Sequence, residues 1–172
     1  TEHNTHNKRR EKKLLTFLER FVYSRYKKII AISYQTKANL LKWLGSHYND
    51  KVIIIENGID IDLFSRAKKV EKGDLGIPSD AVVLLMIARF SNQKDHDTLL
   101  KAFTLLKTKN IYLLLVGGGP RKEYLIDMSN KYGVSDRILF LGIRTDTPDL
   151  IKMADICILS SNWEGFGLVT VE

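Results

Sequence analysis

The feature that most constrains the fold of this chain is an alternation of short apolar, β-branched runs with longer segments of helical period. The apolar runs span residues 28–32, 51–55, 82–88, 111–116, 137–141 and 156–159. Each run is almost continuously apolar, which indicates a strand covered on both faces, as parallel strands between helix layers are. The alternation therefore predicts an α/β fold with a parallel sheet and helices on both of its faces.

Two of the intervening segments carry apolar stripes at helical spacing. Residues 12–26 carry Leu14, Leu15, Leu18, Phe21 and Val22, and residues 98–106 carry Leu99, Leu100, Phe103 and Leu106. We expect both stripes to face the core.

The composition changes between Asn57 and Pro78. Asn57-Gly58 is a turn signal, and the stretch that follows it is charged and lacks a long apolar run as far as Gly76. We expect a linker there, with residues 1–66 forming the tail of one α/β domain and the start of the linker. Residues 67–172 would form a second α/β domain, and both domains are expected to be shortened.

Composition excludes several classes of protein. The chain is 44% hydrophobic and 27% charged, and no apolar run approaches the roughly 18 residues of a membrane span. We therefore expect a soluble, cytoplasmic protein. The single cysteine, Cys157, excludes an intrachain disulfide, and its apolar surroundings predict a buried, reduced thiol.

The net charge of +7 invites a nucleic-acid interpretation, but no zinc-finger spacing or RNA-recognition signature accompanies it. A solvated helix face is the commonest explanation of such charge, and attraction to an anionic membrane surface is the second.

The turns that follow the strands carry polar residues and glycines, at the edge where open α/β sheets bind ligands. In chain order these turns contain Arg89 and Lys94, then Gly117-Gly118-Gly119-Pro120, then Gly142-Ile143-Arg144. Arg89 and Lys94, together with a helix N-terminus, would neutralise a diphosphate without a metal ion.

The segment 160–172 follows the last apolar run and contains Glu164 and Glu172, with seven residues between them. At a rise of roughly 1.5 Å per residue the two carboxylates lie about two helical turns apart, so they can hold opposite ends of one elongated polar molecule. Backbone N–H groups at the glycine-flanked turn between them would form an anion site.

Together these residues resemble the retaining glycosyltransferases of the glycosyltransferase-4 type, which have the GT-B fold and use nucleotide-sugar donors. The resemblance runs from His3 to Glu172. Its motifs are Ile30-Ala31-Ile32-Ser33, Asn57-Gly58-Ile59-Asp60, Arg89 with Lys94, 117–120, Ala154-Asp155, and 164–168 through Glu172. It implies two facing Rossmann-like domains, of which this chain holds the tail of the acceptor domain and most of the donor domain.

The resemblance also implies roles for individual residues. The expected catalytic residues are Glu164, Lys94, Arg89 and His3. The expected donor-binding residues are Arg89, Lys94, Gly117, Gly119, Ile143, Arg144, Glu164, Gly165, Phe166, Gly167, Leu168 and Glu172. In this family the two cations bind the diphosphate, the second glutamate binds the ribose, and the first glutamate lies near the donor sugar.

The implied reaction transfers a sugar from a nucleoside diphosphate, with UDP-sugars as the first expectation, to a hydroxyl of a glycan or lipid-linked acceptor. No metal or other cofactor is implied. The implied setting is capsular polysaccharide or lipopolysaccharide synthesis at the cytosolic face of the membrane, with peripheral contact to anionic lipid and no nucleic-acid partner. This chain alone is expected to bind donor and to catalyse little or no transfer.

Two positions depart from the family pattern, and two other functions stay open. Ala88 stands where the family usually has glycine, and Asp95 stands where glycine is frequent. A dinucleotide-binding oxidoreductase would use 117–119 as its phosphate loop, although Lys122 replaces the third fingerprint glycine. A basic nucleic-acid-binding module is the alternative that is not an enzyme. Asp60-Ile61-Asp62 resembles a metal-binding DxD, but it lies far from the donor loops in the sequence.

Overall fold

The structure, a computed structural model, describes residues 13–165 and 167–171. Within these ranges the strands are β1 (Ile29–Ala31), β2 (Val52–Ile54), β3 (Val82–Ile87), β4 (Ile111–Val116), β5 (Ile138–Gly142) and β6 (Ile156–Cys157). The helices are α1 (Lys13–Arg25), α2 (Tyr34–Leu44), α3 (Ile61–Ser65), α4 (His96–Thr104), α5 (Lys122–Lys131) and α6 (Thr147–Met153). Every predicted apolar run therefore overlaps a strand.

The described chain divides into two compact units. The first comprises residues as far as Gly58 together with Trp163–Leu168, and the second comprises Ile59–Asn162 and the residues from Val169 onward.

The first unit contains the parallel pair β1 and β2, in which Ile29 lies opposite Val52. The hydroxyl of Ser33 accepts a hydrogen bond from the backbone N–H of Thr36 at 3.1 Å, which caps the start of α2. Buried side chains of α2 then pack on the two strands, and the core consists of Ile29, Ala31, Leu40, Leu44 and Val52.

Helix α1 corrects one of the predictions. Leu18 and Phe21 are each 55% exposed and Val22 is 47% exposed, so this part of the stripe does not face a core in the described chain. The helix contacts the rest of its unit through Tyr23 instead, whose ring meets that of Trp43 edge-on at 5.6 Å. A helical period identifies an apolar face, but it does not say what that face packs against.

The second unit is built on a four-stranded parallel sheet in the order β5-β4-β3-β6. Alternate residues of β3 enter opposite cores, so both faces of the strand are buried. One core contains Leu84 and Met86 with Leu99, Leu100, Phe103 and Leu125 of α4 and α5. The other contains Val83 and Leu85 with Leu150 and Met153 of α6. The predicted parallel sheet with helices on both faces is confirmed, as is the core-facing stripe of α4.

Strand β6 lies at an edge of this sheet, which corrects the prediction for Cys157. Both Ile156 and Cys157 are exposed, because β6 pairs only with β3 in the described chain. Neighbouring groups still desolvate the sulfur in part, and this raises the pKa of the Cys157 thiol.

The charged stretch expected to be a linker packs with the second unit. The backbone N–H of Lys68 donates to Oδ1 of Asp149 at 2.7 Å, and Nζ of Lys152 donates to the carbonyl of Ala67 at 2.8 Å. Both bonds join this stretch to α6, and Ile77 at its end is buried in the core beneath the helix.

Asp155 fixes the start of β6 against β3. Its Oδ2 accepts from the backbone N–H of Val83 at 2.8 Å and from Nζ of Lys72 at 3.2 Å. These bonds, the one from Val83 first, lower the pKa of Asp155. The residue therefore sets the register of the strand whose carboxyl end leads into segment 160–172. No helix in the described ranges is both long enough and apolar enough to span a bilayer.

Candidate functional site

The loops at the carboxyl ends of the four parallel strands meet at one edge of the second unit. The backbone N–H of Phe90, after β3, donates to the carbonyl of Gly118, after β4, at 3.0 Å. Gly117 donates to Gly142 after β5 at 2.8 Å, and Asn162 after β6 donates to Gln93 at 2.8 Å. Backbone hydrogen bonds therefore bring these loops together, as expected for loops that follow neighbouring parallel strands.

The glycine loop after β4 packs directly against the loop after β3. A Cβ at Gly117 would lie 2.1 Å from the carbonyl oxygen of Ala88, and a Cβ at Gly119 would lie 2.5 Å from that of Phe90. Both glycines also have positive φ angles, 139° and 153°. These glycines are therefore required by the close approach of two backbones.

The loop after β3, which we call the cation loop (residues 89–95), carries the two predicted cations. Arg89 is exposed directly after the strand, and Lys94 is half-buried at the end of a 3-10 turn, Asn92–Lys94. Asp95 then adopts the left-handed conformation, with φ 45° and ψ 49°, and its side chain accepts from Thr98 N–H to cap α4. The departure from glycine at this position is thus accommodated, because aspartate tolerates the left-handed region.

Ser160 holds the cation loop from the side of β6. Its hydroxyl lies within hydrogen-bond distance of the carbonyls of Lys94 at 3.0 Å and Asp95 at 3.1 Å. Sequence reasoning gave this serine no role. Its only signal was its position at the carboxyl end of a strand, the same edge as the other loops.

His96 begins α4 and is completely buried. Its ring meets Phe90 edge-on at 5.1 Å, and neither ring nitrogen has a hydrogen-bond partner in the described part of the chain. Burial, followed by the charge of Arg121, lowers the pKa of His96 to about 4. The imidazole is therefore neutral near pH 7.

The loop after β5 carries the residues expected near the nucleotide base. Ile143 is 85% exposed, and the guanidinium of Arg144 forms two hydrogen bonds to Asp146, at 2.8 and 2.5 Å. This pairing lowers the pKa of Asp146 and raises that of Arg144. The side chain of Arg144 is thus held toward the start of α6.

The terminal motif is placed in the other unit. Residues Trp163–Leu168 cluster with the first unit, where the hydroxyl of Ser33 donates to the carbonyl of Gly165 at 3.0 Å. Glu164 is half-buried, and Gly167 has a φ of 73°. Where a helix was expected to open, the chain forms a 3-10 turn, Leu168–Thr170. His3, Phe166 and Glu172, for which roles were predicted, lie outside the described residues.

Metal binding was not predicted for Asp60-Ile61-Asp62. The side chain of Asp60 accepts from the N–H of Leu63 at 3.1 Å and caps α3. Across residues 13–165 and 167–171, no group of three or more His, Cys, Asp or Glu side chains could hold a metal ion.

Solved structures share this architecture. The crystal structure of Anabaena Alr3699/HepE in complex with UDP and glucose superposes with a TM-score of 0.81 at 24% identity. The match covers 93% of this chain and 45% of that one. The fold is that of the GT-B glycosyltransferases.

Sequence families agree with the fold. Residues 67–172 match the model of glycosyl transferases group 1, and residues 1–63 match that of Glycosyltransferase Family 4. The first match covers more than half of the chain. The chain therefore belongs to the family of glycosyl transferases group 1. The resemblance to GT-B-fold glycosyltransferases of the glycosyltransferase-4 type is confirmed.

Two curated relatives illustrate this membership. The lipopolysaccharide core biosynthesis glycosyltransferase LpsD of Rhizobium meliloti (strain 1021) is 33% identical over 63% of this chain. The UDP-Gal:alpha-D-GlcNAc-diphosphoundecaprenol alpha-1,3-galactosyltransferase of Escherichia coli is 30% identical over 96% of it. The chain spans 32% of the first protein and 45% of the second.

Proposed function

We propose that this chain supplies the donor-binding part of a retaining glycosyltransferase that uses a nucleoside-diphosphate sugar, with UDP as the first candidate nucleotide. The observation that carries the proposal is the meeting of four loops at the carboxyl edge of one parallel sheet, with Arg89 and Lys94 on the loop after β3. The UDP bound in the similar structure and the UDP-Gal in the name of one relative support the choice of nucleotide.

The two cations suit a diphosphate leaving group. Arg89 offers a planar fork of N–H donors, and Lys94 offers a compact charge that can follow a moving oxygen. As the bond between the anomeric carbon and the diphosphate breaks, negative charge grows on the departing phosphate. Cations held at that position lower the barrier, because they are already in place when the charge develops.

For the transfer step we propose attack from the same face of the sugar. The acceptor oxygen bonds to the anomeric carbon, the bond to the diphosphate breaks, and the acceptor proton passes to the departing phosphate oxygen. In this scheme Glu164 binds donor-sugar hydroxyls, Glu172 binds the ribose, and His3 lies near the sugar and acceptor. A trapped glycosyl-enzyme adduct at any carboxylate would contradict this scheme.

The remaining predicted residues complete the donor site. The backbone around Gly117, Gly119, Ile143 and Arg144 would contact the nucleotide, and the N–H groups between Gly165 and Leu168 would face the sugar and distal phosphate. We assign no metal or other cofactor to the reaction. Family membership favours this function over the dinucleotide oxidoreductase and the nucleic-acid-binding module.

We further propose that the acceptor is a glycan or lipid-linked hydroxyl used in envelope polysaccharide synthesis on the cytosolic face of the membrane. The names of the two relatives, which mention the lipopolysaccharide core and a diphosphoundecaprenol acceptor, support this setting. The net charge of +7 is compatible with contact to anionic lipid. The chain spans less than half of either relative, so we expect donor binding from it and little transfer.

A thermal-shift screen tests the proposal. UDP, GDP, ADP and their sugar conjugates are added to the chain and to an Arg89→Ala/Lys94→Ala variant. At 100 times the dissociation constant, the true donor nucleotide should raise the melting temperature by about 5 °C or more. The double variant should lose most of this shift.

A second double variant, Lys101→Ala/Lys107→Ala, removes two exposed charges elsewhere and should keep the shift. Equal shifts for the wild type and the Arg89/Lys94 variant would contradict the proposed site. The absence of a shift with every nucleotide would contradict the proposed function itself.

A further inference from the structure

An ion pair joins the start of α4, which follows the cation loop, to the residue between the glycine loop and α5. Arg121, directly before α5, donates from Nη1 to Oδ2 of Asp97 at 2.5 Å and from Nη2 to Oδ1 at 3.0 Å. The guanidinium also lies 4.5 Å from the centre of the Tyr124 ring. The two charged side chains are only 20% and 24% exposed, so the pair is held in one orientation.

Arg121 is tied to the cation loop through its backbone as well as its side chain. Its N–H donates to the carbonyl of Phe90 at 3.3 Å, and the N–H of Phe90 donates to Gly118. Gly119 leaves no room between these segments, since a Cβ there would meet the Phe90 carbonyl oxygen. The glycine loop and the start of the cation loop therefore move together.

Asp97 connects the other end of the cation loop to the same guanidinium. It lies in the first turn of α4, which Asp95 caps, and Lys94 immediately precedes that cap. From the opposite side, the Ser160 hydroxyl bonds the carbonyls of Lys94 and Asp95. The backbone at Lys94 is thus held by the hydroxyl of Ser160, which follows β6. The helix that begins two residues after Lys94 is fixed in turn by the Arg121–Asp97 ion pair.

The geometry fits a positioning role better than a stabilising one. A mostly buried ion pair is weak evidence for stability, because the cost of removing two charges from water offsets much of their attraction. A bidentate guanidinium pair instead fixes distance and angle between the groups that carry it. Two N–H groups of the Arg121 guanidinium are committed to the Asp97 carboxylate, so the bonds between these two side chains orient the guanidinium without any ligand.

On the basis of the proposed function, we infer that Arg121 and Asp97 are positioning residues, which hold the cation loop so that Lys94 faces the donor diphosphate. They act through Lys94 and do not touch the donor. Their effect on binding should therefore require the Lys94 ammonium.

A double-mutant cycle tests this dependence. The dissociation constant of UDP is measured by calorimetry for the wild type, Arg121→Gln, Lys94→Ala and the double variant. Arg121→Gln should weaken UDP binding about tenfold in the wild type, as expected for residues of one network. In the Lys94→Ala background the same change should cost less than about twofold.

Arg137→Gln is the matched control. The Arg137 guanidinium also bonds a neighbour, the carbonyl of Thr108 at 2.9 Å, and lies 4.9 Å from the Phe103 ring, but it precedes β5 at the opposite edge of the sheet. Its loss should leave UDP affinity unchanged. Arg121→Lys, which keeps the charge but loses the fork, should fall between the wild type and Arg121→Gln while melting at nearly the wild-type temperature.

Each other outcome has a definite meaning. An equal loss in both backgrounds, no loss in the wild type, or the same loss for Arg137→Gln would overturn the positioning role. A wild-type chain that binds none of UDP, GDP or ADP would instead overturn the proposed function on which this role rests.

Discussion

At the scale of single residues, Asp95 meets two structural requirements, a left-handed backbone conformation and a side chain that caps a helix. In the described part of the chain it is the one residue other than glycine with a positive φ, and its carboxylate also caps α4. Glycine would adopt the left-handed conformation but has no side chain to cap the helix, and most other residues favour neither role. Aspartate therefore fixes the direction in which the chain leaves Lys94 and enters the helix.

Three substitutions at Asp95 separate these demands. Asp95→Asn keeps both the left-handed conformation and the helix cap, so it should change the free energy of unfolding by less than about 0.5 kcal/mol. Asp95→Gly keeps the conformation but loses the cap, at a cost of up to about 1 kcal/mol. Asp95→Ala loses both and should cost about 2 kcal/mol. Urea unfolding measures all three, and an alanine variant as stable as the asparagine variant would refute this account.

At the scale of elements, the glycine loop and the cation loop form one packed pair of backbones. Sequence reasoning assigned Gly117 and Gly119 to donor binding. The structure shows them approaching the carbonyls of Ala88 and Phe90. The two explanations are compatible, because a loop held this closely can present its N–H groups in a fixed direction.

Gly119→Ala tests the importance of this packing. The new Cβ would be placed 2.5 Å from the Phe90 carbonyl oxygen at a φ of 153°, so the loops must separate. We expect a loss of about 2 kcal/mol in unfolding free energy, together with weaker UDP binding by calorimetry. Gly73→Ala is the control, since no atom lies within 4 Å of its added Cβ. If both variants behave like the wild type, the packing does not matter.

The elements themselves were largely predictable. Six apolar runs gave six strands, because a strand buried on both faces needs a continuous apolar sequence. The failures at α1 and Cys157 share a cause, since exposure depends on neighbours that a local pattern does not contain. The pairs Arg121 with Asp97 and Ser160 with Lys94 are 24 and 66 residues apart, so periodicity could not reveal them.

At the scale of the whole molecule, His96 should set part of the pH dependence of stability. Burial lowers the pKa of its imidazole to about 4, against about 6.5 in an unfolded chain. Arg121 reinforces this shift, and the carboxylates of Asp95 and Asp97 oppose it. Between these two values the unfolded state binds a proton that the folded state does not, so stability falls as the pH is lowered through this range.

His96→Leu should flatten the dependence of unfolding free energy on pH between about 6.5 and 4. At pH 7 the variant should be about as stable as the wild type, because leucine removes two buried nitrogens that lack partners. Asp97, Asp146 and Asp155 also have lowered pKa values, so their contributions to stability are lost as the pH falls, chiefly at the lower end of this window and below it. The difference between the wild type and the variant isolates the part that comes from His96. Urea unfolding at several pH values gives the comparison, and an unchanged slope would exclude His96 as its source.

The strand order of the second unit also bears on how the protein is made. β3 is central, yet its neighbour β6 follows much later, and the bond from Val83 to Asp155 spans 72 residues. On the ribosome, β3 and β4 can associate early, while the other side of β3 waits for β6 to be translated. Until then one edge of the central strand β3 is unpaired, so the synthesis of β6 is the step that covers the hydrogen-bonding groups of this strand.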